Sequence, residues 1–177
     1  LTVDAVNLII SQYFNYDLRG ASGKKIGVVG AGNIGSKIGL NLIELGAKVY
    51  LNRRNTKKLR CIVNAINYIK PLNTKEKVIA TDKMTASKNS DVLIGSSNGK
   101  PIINFKMINL LKKNSIIIDA GKGTLTKSAI KKANTKNINI FRVDIFPSLE
   151  GLISKTFSME RQIKKLLKKK EFRNINI

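Results

Sequence analysis

The sequence predicts an α/β architecture: a doubly wound parallel sheet of six strands with helices on both faces. Three observations predict it. Short apolar runs alternate with stretches of helical periodicity along the 177 residues. A Gly-x-Gly-x-x-Gly turn, Gly30-Ala31-Gly32-Asn33-Ile34-Gly35, joins the first run to a helical stretch. The run Val92-Leu93-Ile94-Gly95 after Asp91 is apolar throughout, which suits a strand covered on both faces. Right-handed crossovers then give the strand order 3-2-1-4-5-6, the Rossmann arrangement.

The elements follow in order. Residues 1–14 carry apolar side chains at Ala5, Leu8, Ile9 and Phe14, a helical spacing, with Thr2 or Asp4 as cap. A polar, glycine-containing linker covers residues 17–24, and the first strand residues 25–30. The first crossover helix spans 33–45, with Ile34, Ile38, Leu42 and Leu45 inward and Gly46 as its stop. The second strand is 48–52. A helix over 56–70 places Leu59, Ile62, Val63, Ile66 and Ile69 on one face, and Pro71 ends it. Strand three is 77–81, followed by a helical turn at 84–89 and strand four at 91–95. A short helix at 105–111 leads to strand five at 115–119. A second glycine-rich turn, Ala120-Gly121-Lys122-Gly123, leads to a helix at 125–133 and strand six at 138–144. Residues 145–150 read as a loop. Residues 151–170 read as a terminal helix with a break near Ser158, and 171–177 as a tail. The organisation is therefore an incoming helix and linker (1–24), a dinucleotide-binding unit (25–150) and a C-terminal helix and tail (151–177).

Ligands of such sheets bind beyond the carboxyl ends of the strands, where the order reverses. That singles out the loops at 30–35, 52–57, 96–100, 120–123 and 145–151. Gly30 allows the tight turn, Gly32 lets the backbone approach a pyrophosphate, and Gly35 allows close packing of helix on strand. Asn33 and Ile34 begin the helix, whose free N–H groups and dipole favour an anion. An NAD-preferring site usually has an acid about 20 residues on, for the ribose 2′-hydroxyl. Here Asn52 stands at the second strand's end, followed by Arg53, Arg54 and Lys57, and only Glu76 is acidic between Glu44 and Asp82. Guanidinium forks without an opposing acid suit a 2′-phosphate, so the expected cofactor is NADP. Ser96, Ser97 and Asn98 are candidates to bond the ribose or carboxamide.

Composition excludes several classes. There is no histidine and a single cysteine, Cys61, so neither a Ser-His-Asp mechanism nor an internal disulfide is available, and no metal site is expected. No run of apolar residues is long enough for a membrane span. The net charge of +22 would ordinarily raise nucleic-acid binding. The lysines are scattered and aromatics few, so no stacking platform forms and that role is not expected. A cytoplasmic homo-oligomer acting on a small molecule is expected.

The linker Arg19-Gly20-Ala21-Ser22-Gly23-Lys24-Lys25 and the turn from Gly30 to Gly35 resemble the cofactor domain of NADP-linked dehydrogenases of the amino-acid-dehydrogenase-like group. These include methylene-tetrahydromethanopterin, methylene-tetrahydrofolate and shikimate dehydrogenases. Asn52-Arg53-Arg54 with Lys57 is similar to the shikimate enzymes' pattern for the 2′-phosphate, although Arg54 stands where that pattern has Ser or Thr. Asp91 to Gly95 and Ser115 to Gly121 are similar to the closing strands of the folate enzymes.

The resemblance implies an NADP-dependent oxidoreductase acting on a methylene-tetrahydropterin one-carbon unit. The alternatives are a shikimate-type or amino/hydroxy-acid dehydrogenase and a non-catalytic nucleotide sensor. It also implies a substrate domain before Leu1 that carries the catalytic group, so the catalytic residues within this chain are unknown. The terminal helix would dock on that domain, leaving Leu152, Ile153, Phe157 and Met159 partly exposed.

Overall fold

The computed structural model describes residues 1–170. Six parallel strands form one sheet in the order β3-β2-β1-β4-β5-β6, as expected. They are β1 (Lys25–Val29), β2 (Lys48–Asn52), β3 (Ile79–Ala80), β4 (Val92–Gly95), β5 (Ile116–Asp119) and β6 (Asn139–Arg142). The helices are α1 (Thr2–Tyr13), α2 (Asn33–Glu44), α3 (Thr56–Ile69), α4 (Lys83–Ser87), α5 (Phe105–Asn109), α6 (Lys127–Thr135) and α7 (Phe146–Lys170).

Side chains alternate across the sheet because successive Cβ atoms point to opposite faces. Val28, Leu51, Ile94 and Ile118 pack with α1, α2 and α3, while Leu93 and Ile117 pack with α5 and α6. All residues of β4 and β5 are buried, since helices cover both faces.

Several expectations are corrected. On α1 the buried residues are Ala5, Val6 and Ile10, while Leu8 is exposed, and the N-cap is Leu1, with no side-chain cap bond. On α2 both Ile34 and Leu45 are exposed, and Gly35, Gly39 and Ile43 join Ile38 and Leu42 inside. Ile69 is exposed at the end of α3. Strand β3 shrinks to the two residues Ile79–Ala80, which pair with Tyr50 and Leu51 of β2 at the sheet edge. The expected loop at 145–150 and break near Ser158 do not occur: α7 runs without interruption, and Asp144 accepts a bond from the Phe146 amide at its start. The tail expected at 171–177 and the side chain of Leu152 lie outside the described residues. Ile153, Phe157 and Met159 are exposed. No described helix is long and apolar enough to cross a membrane.

Candidate functional site: a cleft at the switch point of the sheet

A cleft of about 940 Å³ opens at the carboxyl ends of the strands. Gly30, Gly32, Asn33 and Ile34 line it from the glycine turn. Asn52, Arg53 and Arg54 line it from the end of β2, and Ser96, Ser97 and Asn98 from the end of β4. Two predicted residues stand outside the lining. Gly35 lies behind the turn, where a Cβ would sit 2.5 Å from Ser96 Oγ and 2.7 Å from the Gly30 oxygen. Lys57 is exposed in the first turn of α3. Among the described residues, none from the segment 145–151 lines the cleft.

The glycine turn has the shape an anion needs. Gly30 has a φ of 100°, in the left-handed region, and a Cβ there would press on the Ser96 backbone at 3.0 Å. Around Gly32 a Cβ would meet nothing nearer than the Gly30 oxygen at 3.9 Å. The space a side chain would fill is open cleft. Gly32 is the N-cap of α2 and supplies no side-chain bond, so the first amides of that helix face the cleft without a partner in the helix.

The end of β2 braces this turn. The Asn52 carbonyl accepts from the Gly30 amide at 3.0 Å and the Ala31 amide at 2.8 Å. Arg53 Nη1 donates to the Ala31 carbonyl at 2.8 Å. The Asn52 side chain donates to the Thr81 carbonyl at 2.9 Å and so reaches the end of β3. Arg54 is exposed.

Sequence reasoning missed Thr2, Asp82, Lys83 and Ile102, which line the cleft, while Gly121 and Lys122 come from the loop at 120–123 that it singled out. The charge of Lys83 is visible in the sequence, but only the tertiary fold carries it to the cleft. Asp82 is the one acid of the lining among the described residues, and no ion pair joins it to the cleft cations. It accepts from the Met84 and Thr85 amides and the Thr85 hydroxyl. The Thr85 hydroxyl and these amides hold its pKa below the ordinary value. The side chains of Arg54, Lys83 and Lys122 have no hydrogen-bond or ion-pair partner among the described residues.

On the β5 side, Asp119 is buried and accepts from the Gly123 amide (2.7 Å), the Thr124 amide (3.2 Å) and the Thr124 hydroxyl (2.8 Å). It organises the second glycine-rich turn rather than facing the cleft. Lys122, at φ 56°, projects from that turn into the lining. Ser96 and Ser97 donate to backbone carbonyls, whereas the Asn98 amide has no partner among the described residues.

Comparison with known proteins agrees with this geometry. The profile of the family described as "D-isomer specific 2-hydroxyacid dehydrogenase, NAD binding domain" matches residues 10–167. The chain belongs to that family. A glutamyl-tRNA reductase of Thermosipho melanesiensis is 29% identical over 157 residues, 82% of this chain and 39% of that protein. A glyoxylate/hydroxypyruvate reductase of Arabidopsis thaliana is 24% identical over 148 residues, 80% of this chain and 41% of that protein. This member of the hydroxyacid dehydrogenase family thus spans about two fifths of the length of these relatives.

Among solved structures, a dipicolinate synthase chain of Bacillus halodurans shares the fold, with TM-score 0.63 and 17% identity over 79% of this chain and 44% of that one. The Bacillus subtilis dipicolinate synthase gives 0.61 and 16% over 91% and 53%. The family membership supports a nicotinamide-nucleotide domain, as the sequence implied. It does not support the narrower grouping with methylene-tetrahydropterin and shikimate dehydrogenases.

Proposed function

We propose that this chain is the NADP-binding part of an oxidoreductase that acts on a small hydroxy or amino acid. The observation that carries it is the cleft itself. An open glycine turn at a helix N-terminus lies in one cleft with Arg54 and Lys83, whose side chains are unpaired among the described residues, and the one described acid of the lining is bonded to α4. The residues fit a dinucleotide. The amides of α2 and the bare Gly32 take the pyrophosphate, and the cations beyond β2 and β3 take the 2′-phosphate.

When bound, the nicotinamide cofactor supplies hydride chemistry. The chain orients it: Ser96, Ser97 and Asn98 lie where the second nucleotide half rests, over β4. Lys122 is the cation on the β5 side and suits an anionic substrate. The family profile and the hydroxypyruvate reductase favour the hydroxy-acid alternative over a pterin-linked one-carbon substrate. Among the described residues the lining holds no histidine, its one acid is engaged, and Lys83 and Lys122 are read as anion-binding cations, so the acid–base group is sought outside this lining.

Calorimetric titration of the chain with NADP⁺ and NAD⁺ tests this. Tighter binding of NADP⁺ is expected. Equal affinity, or preference for NAD⁺, would remove the NADP assignment.

A further inference from the structure

The two arginines after β2 are not equivalent. Arg53 is half-buried, and its Nη1 is held 2.8 Å from the Ala31 carbonyl. The neighbouring Asn52 carbonyl holds the Gly30 and Ala31 amides. Three bonds from two consecutive residues therefore fix the glycine turn to the end of β2. The Ala31 side chain is buried, so the peptide that Arg53 grips sits in a packed surrounding. A guanidinium has further N–H groups, but this one is located by the turn rather than by open solvent.

Arg54 has no such anchor, and neither has Lys83. Arg54 follows β2 and Lys83 follows β3, two strands that pair directly. Adjacent strands lie about 4.8 Å apart, so these cations flank one space. The acid that could neutralise Lys83 is its neighbour Asp82. Both Asp82 oxygens are committed to Met84 and Thr85.

We infer that Arg53 is a positioning residue for the phosphate-binding turn, and that Arg54 and Lys83 together read the ribose 2′-phosphate. The inference rests on the dinucleotide reading of the cleft. It separates two effects. Arg53 acts through the turn on any dinucleotide, since every one carries the pyrophosphate. Arg54 and Lys83 act only where a 2′-phosphate is present.

The test compares Arg53→Gln, Arg53→Lys, Arg54→Gln and Lys83→Gln with the wild type, by titration with NADP⁺ and with NAD⁺. Thermal unfolding of each variant confirms the fold. Arg53→Gln is expected to weaken both nucleotides by a similar factor, leaving their affinity ratio within roughly twofold of wild type. Arg53→Lys, which can still donate to Ala31, is expected to recover part of both. Arg54→Gln and Lys83→Gln are each expected to lower NADP⁺ affinity about tenfold and leave NAD⁺ unchanged.

Selective loss of NADP⁺ in Arg53→Gln would make Arg53 a 2′-phosphate ligand and overturn its positioning role. An unchanged ratio in Lys83→Gln would remove Lys83 from the site. A wild type that binds both nucleotides equally would sink the NADP reading and the roles of Arg54 and Lys83. A common loss in Arg53→Gln would still uphold its positioning role. A wild type that binds neither nucleotide would overturn the dinucleotide reading and this inference together.

Discussion

The Ser96 hydroxyl donates to the Gly30 carbonyl at 2.9 Å, and so ties the loop after β4 to the turn after β1 where the strand order reverses. Gly35 packs against both groups. Ser96→Ala should cost about 1 kcal/mol of stability, the usual net worth of one hydrogen bond. Gly35→Ala should cost roughly 1–3 kcal/mol, because its methyl would overlap the Gly30 carbonyl as well as Ser96. The double variant removes only the hydroxyl overlap. Urea denaturation of the three variants should therefore show incomplete rescue; full rescue would mean that the Gly30 backbone yields freely.

Gly32→Val addresses the same turn from its open side. The added side chain meets cleft rather than protein, and φ is −86°, a value any residue adopts. The variant should fold with nearly normal stability and lose nucleotide binding. Unchanged affinity in a folded variant would show that the turn does not hold the phosphates.

Much of this site was legible in the chain. The spacing of Gly30, Gly32 and Gly35 and the strand–turn–helix context pointed to the turn that lines the cleft, and the apolar runs gave the sheet order. What escaped was tertiary. Lys83 lies far from the motif in sequence and enters the cleft only because β3 ends beside it, whereas Lys122 lies in the loop at 120–123 that the strand order had singled out. The inward face of α1 was misjudged at Leu8: the buried residues are Ala5, Val6 and Ile10, which join the core beside α2 and the sheet. Arg53 looked like a phosphate ligand in sequence. Its bond to Ala31 depends on where β2 ends in three dimensions.

Asp119 gives a stability prediction. Its two oxygens serve Gly123 and Thr124, which are held at the root of the second glycine-rich turn. Asp119→Ala leaves three donors without that acceptor and should cost on the order of 3 kcal/mol. Asp119→Asn keeps one acceptor oxygen and should cost less. Chemical denaturation distinguishes them, and equal losses would contradict the bonding described.

Asp82 gives a pH prediction. The Thr85 hydroxyl, followed by the Thr85 and Met84 amides, lowers its pKa from the ordinary 3.8. A depressed acid contributes stability that is fully present above its unfolded value and lost as pH falls through the folded one. The stability gap between wild type and Asp82→Ala should thus be steady near neutrality and close below about pH 4. Asp82 is exposed, so the gap is small. Thermal unfolding from pH 6 to pH 3 measures it, and a gap that widens on acidification would reverse the assignment.

The chain alone should bind cofactor without turning over substrate. Among the described residues, the lining holds no histidine, and its one acid, Asp82, is bonded to Met84 and Thr85. Steady-state assays with small hydroxy acids, shikimate and methylene-tetrahydropterins are the measurement. Turnover above about 1 per second would place a complete active site in these residues.

The strand order also sets a sequence of events in folding. β1 pairs β2 through a short helical crossover, but the Lys25 amide meets Asp91, at the root of β4, across 66 residues. Loop closure grows costlier with length, by about 0.6 kcal/mol per doubling. The first three strands and their helices should therefore assemble before the seam between β1 and β4 closes. The cleft does not exist until that seam is shut. A nucleotide lying across it would act on the last step of assembly and the first step of unravelling, lengthening the lifetime of the native chain more than it hastens its formation.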